Sequence, residues 1–200
     1  MKIFLVRHPQ TTANQQKIIY GKTDYPYTQE GEKQIKSILD FFSMQARTDG
    51  VKIITSPANR AVNLANQIGN LFKQVPSMDE QLGEMNFGIF EGLTLGEAKE
   101  KYPLAYDDFL YRFETSSIPE GESYKAFQER IKRFIMTMPE QDEWILVTHG
   151  AVIREILEQI LGLKAGDSWK FSINNGTIVE LEKKKLGFVV QQIIQPNKEK

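Results

Sequence analysis

The chain has two histidines, and each closes an apolar run of strand length: Ile3-Phe4-Leu5-Val6-Arg7-His8 and Trp144-Ile145-Leu146-Val147-Thr148-His149-Gly150. Residues just past the carboxyl end of a parallel strand sit where open α/β sheets place their ligands. Arg7 sets a guanidinium beside the first imidazole. Thr11, Thr12 and Asn14 follow with hydroxyl, amide and backbone donors. An imidazole attacks only through an unprotonated nitrogen, and a neighbouring cation lowers its pKa. Two imidazoles with local guanidinium charge suit the handling of a phosphoryl group. A lone histidine at a strand end commonly does no more than bond a loop carbonyl; the adjacent arginine argues against that reading for His8.

Three further segments carry candidates. Arg60, in Thr55-Ser56-Pro57-Ala58-Asn59-Arg60, falls at the start of a predicted helix, where the dipole disfavours a cation. The position makes sense if Arg60 reaches over the sheet edge to an anion; taken alone, it reads as a solvated surface arginine. Residues 82–92 hold Glu84 and Glu91 in a loop rich in glycine and aromatics. A carboxyl half-buried there has a raised pKa and suits a general acid. The segment by itself leaves that reading level with two carboxylates in water. Gly150 lets the backbone approach a ligand, and its N–H opens the next helix. Arg154 and Glu155, one turn on, read as a surface ion pair.

The elements that position these residues follow from periodicity. Strands are expected at residues 3–6, 51–54 and 145–147, with a short one at 74–78. Thr28 caps a helix carrying Ile35, Ile38, Leu39 and Phe42 on one face, and Asp49-Gly50 turns the chain into the second strand. Ala61, Leu64, Ala65, Ile68, Leu71 and Phe72 mark a helix. Another starts at Ser123, and a last one carries Val152, Ile153, Ile156, Leu157 and Ile160 before Gly162 stops it. Residues 177–181 and 188–194 form an antiparallel hairpin at a sheet edge. The fold class expected is α/β, a three-layer sandwich with a mostly parallel sheet and an antiparallel C-terminal edge. Residues about 85–122, with the aromatics Tyr102, Tyr106, Phe109, Tyr111 and Phe113, interrupt the alternation as a small helical cap within one domain, 1–200. Pro196 to Lys200 is expected to fray.

Composition narrows the partners. Net charge is -1, so no global field favours nucleic acid or an acidic membrane. No cysteine is present, which excludes disulfides, thiolate catalysis and thiolate zinc sites. Two histidines without H-x-H or H-E-x-x-H give no transition-metal signature, so neither metal nor other cofactor is expected. No run is long and apolar enough to span a membrane, and the start lacks a signal-peptide pattern; a soluble cytoplasmic protein is the expectation. The hairpin edge is a candidate for homodimer pairing, which nothing in the sequence requires.

In order along the chain, these segments resemble the histidine phosphatase superfamily, which includes the phosphoglycerate mutases. Residues 5–14 resemble its R-H-G-x-T-x-x-N signature, and Tyr20-Gly21-Lys22-Thr23-Asp24-Tyr25-Pro26-Tyr27-Thr28 resembles G-x-x-D-x-P-L-T. Ser56 to Ala61 is similar to S-x-x-x-R-A, Glu84 to Gly92 to E-x-x-F-G-x-W-E-G, Pro119 to Ser123 to P-x-G-E-S, and Thr148-His149-Gly150 to S-H-G. Each motif is weak alone; six in order are specific. The resemblance implies that His8 is the nucleophile and Glu84 the proton donor. It implies that Arg7, Arg60 and His149 hold phosphoryl oxygens with Asn14, and that Tyr20, Gly21 and Gly150 border the substrate.

The chain departs from the pattern at Pro9, where the family has glycine and where an N–H is lost. Tyr20 stands where the mutases favour a small hydroxyl residue. Tyr27 and Phe90, for leucine and tryptophan, are expected to keep apolar bulk. The mutases also carry extra arginines for a substrate carboxylate, whereas residues 84–123 here hold only Arg112, Lys99 and Lys101 as cations. The expected activity is hydrolysis of a small phosphorylated metabolite without metal. Cofactor-dependent phosphoglycerate mutase is the second reading. α-Ribazole phosphatase, protein-phosphohistidine phosphatase and a non-catalytic phosphate-binding module follow it.

Overall fold

A computed structural model describes residues 1–45, 50–115, 117–139 and 143–196. Six strands form one sheet in the order β3-β2-β4-β1-β5-β6. Strands β1 (Lys2–Arg7), β2 (Lys52–Thr55), β3 (Ser77–Met78) and β4 (Glu143–Thr148) are mutually parallel. The C-terminal pair, β5 (Ile178–Lys184) and β6 (Gly187–Ile194), is an antiparallel hairpin, and β5 runs antiparallel to β1. This is the mixed α/β sheet expected from the alternation of elements.

Pleating divides the strands between two cores. Ile3 and Leu5 of β1, with Trp144 and Leu146 of β4, pack with α6 (Tyr124–Met136) and α7 (Gly150–Leu161). Phe4 and Val6, with Ile145 and Val147, pack with α2 (Gln29–Gln45) and α3 (Asn59–Phe72). Central strands buried on both faces read as continuous apolar runs, which is why their positions were legible. Strand β3 is shorter than the expected 74–78. The Gln74 N–H closes the C-terminus of α3 on the Gly69 carbonyl, and Pro76 has no N–H for a ladder. Asp49 and residues 197–200 lie outside the described residues, so the expected turn is represented only by Gly50 at φ 107°.

Between β3 and α6 the chain leaves the sheet. A helical turn at Gly88–Phe90 precedes α4 (Leu95–Lys101) and α5 (Pro103–Tyr111). Thr94 and Glu97 form a capping box at α4, and Pro103 starts α5 at a position where no N–H is needed. Helix α5 buries no residue completely; Phe109 anchors it on the rings of Phe87 and Phe90. Among the described residues, no helix is long and apolar enough to cross a membrane.

Candidate active site

Register brings the two histidines together. Strands β1 and β4 pair Arg7 with Thr148, so His8 and His149 leave the sheet side by side. Their ring centroids are 5.1 Å apart. The His8 backbone is fixed by its N–H to the Thr148 carbonyl at 2.9 Å, and its own carbonyl accepts from the Gly176 N–H at 3.2 Å. His8 Nδ1 lies 2.8 Å from the Pro9 carbonyl oxygen. A carbonyl can only accept, so the proton sits on Nδ1 and Nε2 carries the free lone pair. Proline at this position thus costs an N–H but keeps the carbonyl that sets the tautomer.

Both arginines are held by carbonyls. Arg7 Nη1 donates to Ile173 O at 2.6 Å. Arg60, almost wholly buried, donates from Nη2 to Gly21 O at 2.6 Å and from Nη1 to Thr23 O and Asp24 Oδ1, both at 2.8 Å. Asp24 also accepts from the Asn59 N–H at 2.9 Å, supplying the cap that Ala58 cannot give α3. This offsets the cost of a cation at a helix start. Arg7 has no carboxylate partner among the described ion pairs. The Nε atoms of both arginines and Nδ1 of His149 are buried without a protein acceptor. Groups of this kind require an explanation, since each forfeits its hydration.

Asn14 is oriented by its neighbours. It lies in α1 (Thr12–Gln16), whose N-cap Thr11 makes a reciprocal capping box with it. Asn14 Oδ1 accepts from Thr11 N at 3.0 Å, Tyr20 Oη at 2.9 Å and Asn175 Nδ2 at 3.0 Å. The oxygen is thereby used, which leaves the amide NH₂ as the end available to a ligand. The Tyr20 ring also carries the Arg60 guanidinium at 4.6 Å. Gly21 does not line the cleft. A Cβ there would meet Met85 O at 1.9 Å, and its carbonyl serves Arg60. Gly150 does line it, and a Cβ there would stand 3.2 Å from Arg7 Cζ.

The two loop glutamates have separate fates. Glu84, half-buried, borders the cleft with His8; its carboxylate accepts from Met85 N at 3.1 Å and Ala151 N at 3.4 Å. Glu91 faces the backbone instead, accepting from Gly21 N at 2.7 Å and Phe87 N at 3.2 Å. Burial raises the Glu84 pKa against the opposing pull of the Met85 N–H, Arg7 and Arg60. Burial first, then Arg60, pushes both His8 and His149 well below the usual imidazole range. Burial and guanidinium charge thus favour the neutral form of both rings, while burial favours the acid form of the Glu84 carboxyl.

Several participants were not singled out from the sequence. Glu122 grips Arg130 through two contacts of 2.7 and 2.9 Å, and Arg130 donates to Gln81 O and Glu84 O at 2.6 and 3.3 Å, fixing the backbone under Glu84. Tyr27 does more than fill space: its hydroxyl donates to Arg60 O at 2.5 Å. Arg154 and Glu155 are not a surface ion pair. Both line the cleft: Arg154 donates to Ser168 O at 2.6 Å, while buried Glu155 accepts from Tyr124 Oη at 3.0 Å. The expectation failed because adjacent helix positions point to different faces, and a chain segment distant in sequence, 166–171, covers this turn. Among the described residues, no group of three or more His, Cys, Asp or Glu side chains could hold a metal ion.

The cleft has a volume of about 720 Å³. Arg7, His8, Asn14, Arg60, Glu84 and Gly150 border it. Comparison with known proteins places the chain in a family. A family model described as "Histidine phosphatase superfamily (branch 1)" matches residues 3–195. A Hydrogenobacter thermophilus protein named "Putative phosphoserine phosphatase 2" is 26% identical over 90% of this chain and 88% of its own. An Enterobacter sp. (strain 638) protein named "Probable phosphoglycerate mutase GpmB" is 26% identical over 91% of this chain and 85% of its own. The crystal structure of the alpha-ribazole phosphatase from Shigella flexneri superposes with a TM-score of 0.84 at 21% identity, covering 96% of this chain and 95% of that one. At that identity the likeness establishes the fold. With a match over nearly the whole length, the chain belongs to the histidine phosphatase superfamily, branch 1, and is an enzyme of its phosphatase and mutase type.

Proposed function

We propose that the enzyme hydrolyses a small phosphomonoester through a phosphohistidine on His8. The observation that carries this is the contact of His8 Nδ1 with the Pro9 carbonyl, which leaves the Nε2 lone pair free in a cleft shared with Arg7, a cation that makes no ion pair among the described residues. The Nε2 lone pair attacks phosphorus and the ester P–O bond breaks. Glu84 passes its proton to the departing oxygen, so the leaving group exits as a neutral alcohol. Glu84, now a carboxylate, takes a proton from water as that water's oxygen attacks phosphorus. The P–N bond breaks, and the products are inorganic phosphate and restored His8.

Arg7 and Arg60 balance the oxygens of a loose transition state, and the Asn14 amide adds a donor. Ser56 Oγ accepts from Ala58 N at 3.3 Å and stands 2.6 Å from His149 Nε2. With the Ser56 hydroxyl donating a hydrogen bond to Nε2, the ring proton of His149 sits on Nδ1, the nitrogen without a protein partner among the described residues. His149 is wholly buried and does not itself line the cleft, but its ring is 5.1 Å from that of His8, and this N–H is the donor it has left for an oxygen of a phosphoryl group on His8. Residues about 85–122 act as a cap on the same domain.

Hydrolysis is favoured over mutase activity by the cap's charges. Arg112 pairs outward with Asp108 on an exposed face, and Lys101 lies over the Tyr102 ring. None of Arg112, Lys101 and Lys99 lines the cleft with His8, so the cap offers no cation there for a substrate carboxylate. Purified enzyme is expected to hydrolyse p-nitrophenyl phosphate with undiminished rate in EDTA, because arginines supply the positive charge. Loss of turnover in EDTA, restored by a divalent cation, would sink this mechanism. Rapid interconversion of 3- and 2-phosphoglycerate with a bisphosphoglycerate primer would assign the enzyme to the mutases instead.

A further inference from the structure

The cleft extends well past the residues that would hold a phosphoryl group. Its far part is apolar and has two walls. One belongs to the cap and includes Leu95, Phe109, Leu110 and Phe113. The other is the helical turn Asp167–Lys170, which presents Trp169. A Cβ on Gly166 would lie 3.8 Å from the Phe113 ring, so the walls meet at that point.

Trp169 is 73% exposed, an uncommon state for the largest apolar side chain. It is nevertheless held firmly. The Arg154 guanidinium lies 4.0 Å from its ring centroid, and Arg154 Nη1 donates to the carbonyls of Ser168 and Phe171 at 2.6 and 3.3 Å. Glu158 accepts from Gly166 N, Ser168 N and Ser168 Oγ at 2.9, 3.2 and 2.5 Å. A partly buried arginine and a buried glutamate of α7 therefore fix a turn whose outermost residue is an uncovered indole. Leu110 and Leu95, on the cap side, are also about half exposed, at 46% and 51%. Apolar surface left open inside a cleft, on a rigid support, marks a place for a ligand. Because the same cleft contains His8, the occupant is part of the substrate.

We propose that the substrate's leaving group is an alcohol bearing a ring or a similarly broad apolar body, and that Trp169 is the specificity residue it packs against. Arg154 and Glu158 are positioning residues that hold the indole in place. This rests on the reading of His8 as the phosphoryl acceptor. It adds a leaving-group class, since the phosphoryl subsite alone would serve any monoester.

Benzyl and methyl phosphate separate the two claims. Wild-type enzyme is expected to favour benzyl phosphate, and Trp169→Ala to lower the benzyl-to-methyl ratio of kcat/KM about tenfold, chiefly through KM for the benzyl ester. Turnover of both esters with equal kcat/KM, or a ratio untouched by Trp169→Ala, overturns the inference while leaving hydrolysis intact. Turnover of neither ester overturns the phosphoryl reading and the inference with it. Binding gives an independent readout. Trp144 is 5% exposed, so a ligand-dependent emission change belongs to Trp169. Benzylphosphonate should blue-shift the emission, and the shift should vanish in Trp169→Phe. An equal shift with methylphosphonate counts against stacking.

Discussion

Replacing His8 with alanine is expected to lower phosphomonoester turnover by at least ~10⁴-fold, because no other group can take its place in line with phosphorus. His149 is the nearest imidazole, but its Nε2 is engaged with Ser56 and the ring is wholly buried. Ser56 is itself buried and tied to that ring. A general effect on folding must be separated from this loss, since His8 is nearly inaccessible and bonded to Pro9. His8→Asn keeps much of the volume and an N–H that can reach the Pro9 carbonyl, so it should fold as the wild type does and be equally inactive. Circular dichroism and thermal unfolding check the first point, and steady-state turnover the second. Appreciable metal-free hydrolysis by either variant contradicts the assignment.

The second large effect is expected at Glu84. Glu84→Gln keeps the shape but cannot give up a proton, which should lower kcat by ~10²–10⁴-fold for an ester with a poor leaving group. For p-nitrophenyl phosphate the loss should be far smaller, because that leaving group departs without protonation. The pH dependence of kcat follows from the same residues. Glu84 acts as an acid only while protonated, and its pKa is raised by burial. Activity should therefore fall as pH rises through that raised value. His8 must be unprotonated, and its pKa is pushed well below 6.5. The acid limb should consequently lie well below the ordinary histidine range. In Glu84→Gln the alkaline limb should disappear and the acid limb should stay. A profile that keeps its alkaline limb in the variant would assign the acid to another group.

The end of the cleft that holds His8 was legible in the sequence for a definite reason. Strands β1 and β4 are buried on both faces, so each is an unbroken apolar run, and a polar residue at its end stands out. Arg60 was visible because its helix position is unfavourable without an anion, although the acid that supports it, Asp24, sits in a loop with no periodic signal. The opposite behaviour of Glu84 and Glu91 depends on which backbone N–H groups each meets, and those belong to residues 21, 22, 85, 87 and 151. The far wall of the cleft was missed altogether. Arg154 looks like any surface arginine on an amphipathic helix until the turn at 166–171 folds over it. Trp169 is legible as an aromatic residue, not as an exposed one.

The central claim is that phosphorus passes through a bond to His8 Nε2. Rapid mixing of wild-type enzyme with a phosphoryl-labelled ester, followed by an alkaline quench and peptide mapping, tests it directly. Label should appear on the peptide containing His8 within the first turnover, stable to base and lost in acid, and it should persist longer in Glu84→Gln, where water is no longer activated. Turnover with no protein-bound label at any time, or label on a residue other than His8, would contradict the account.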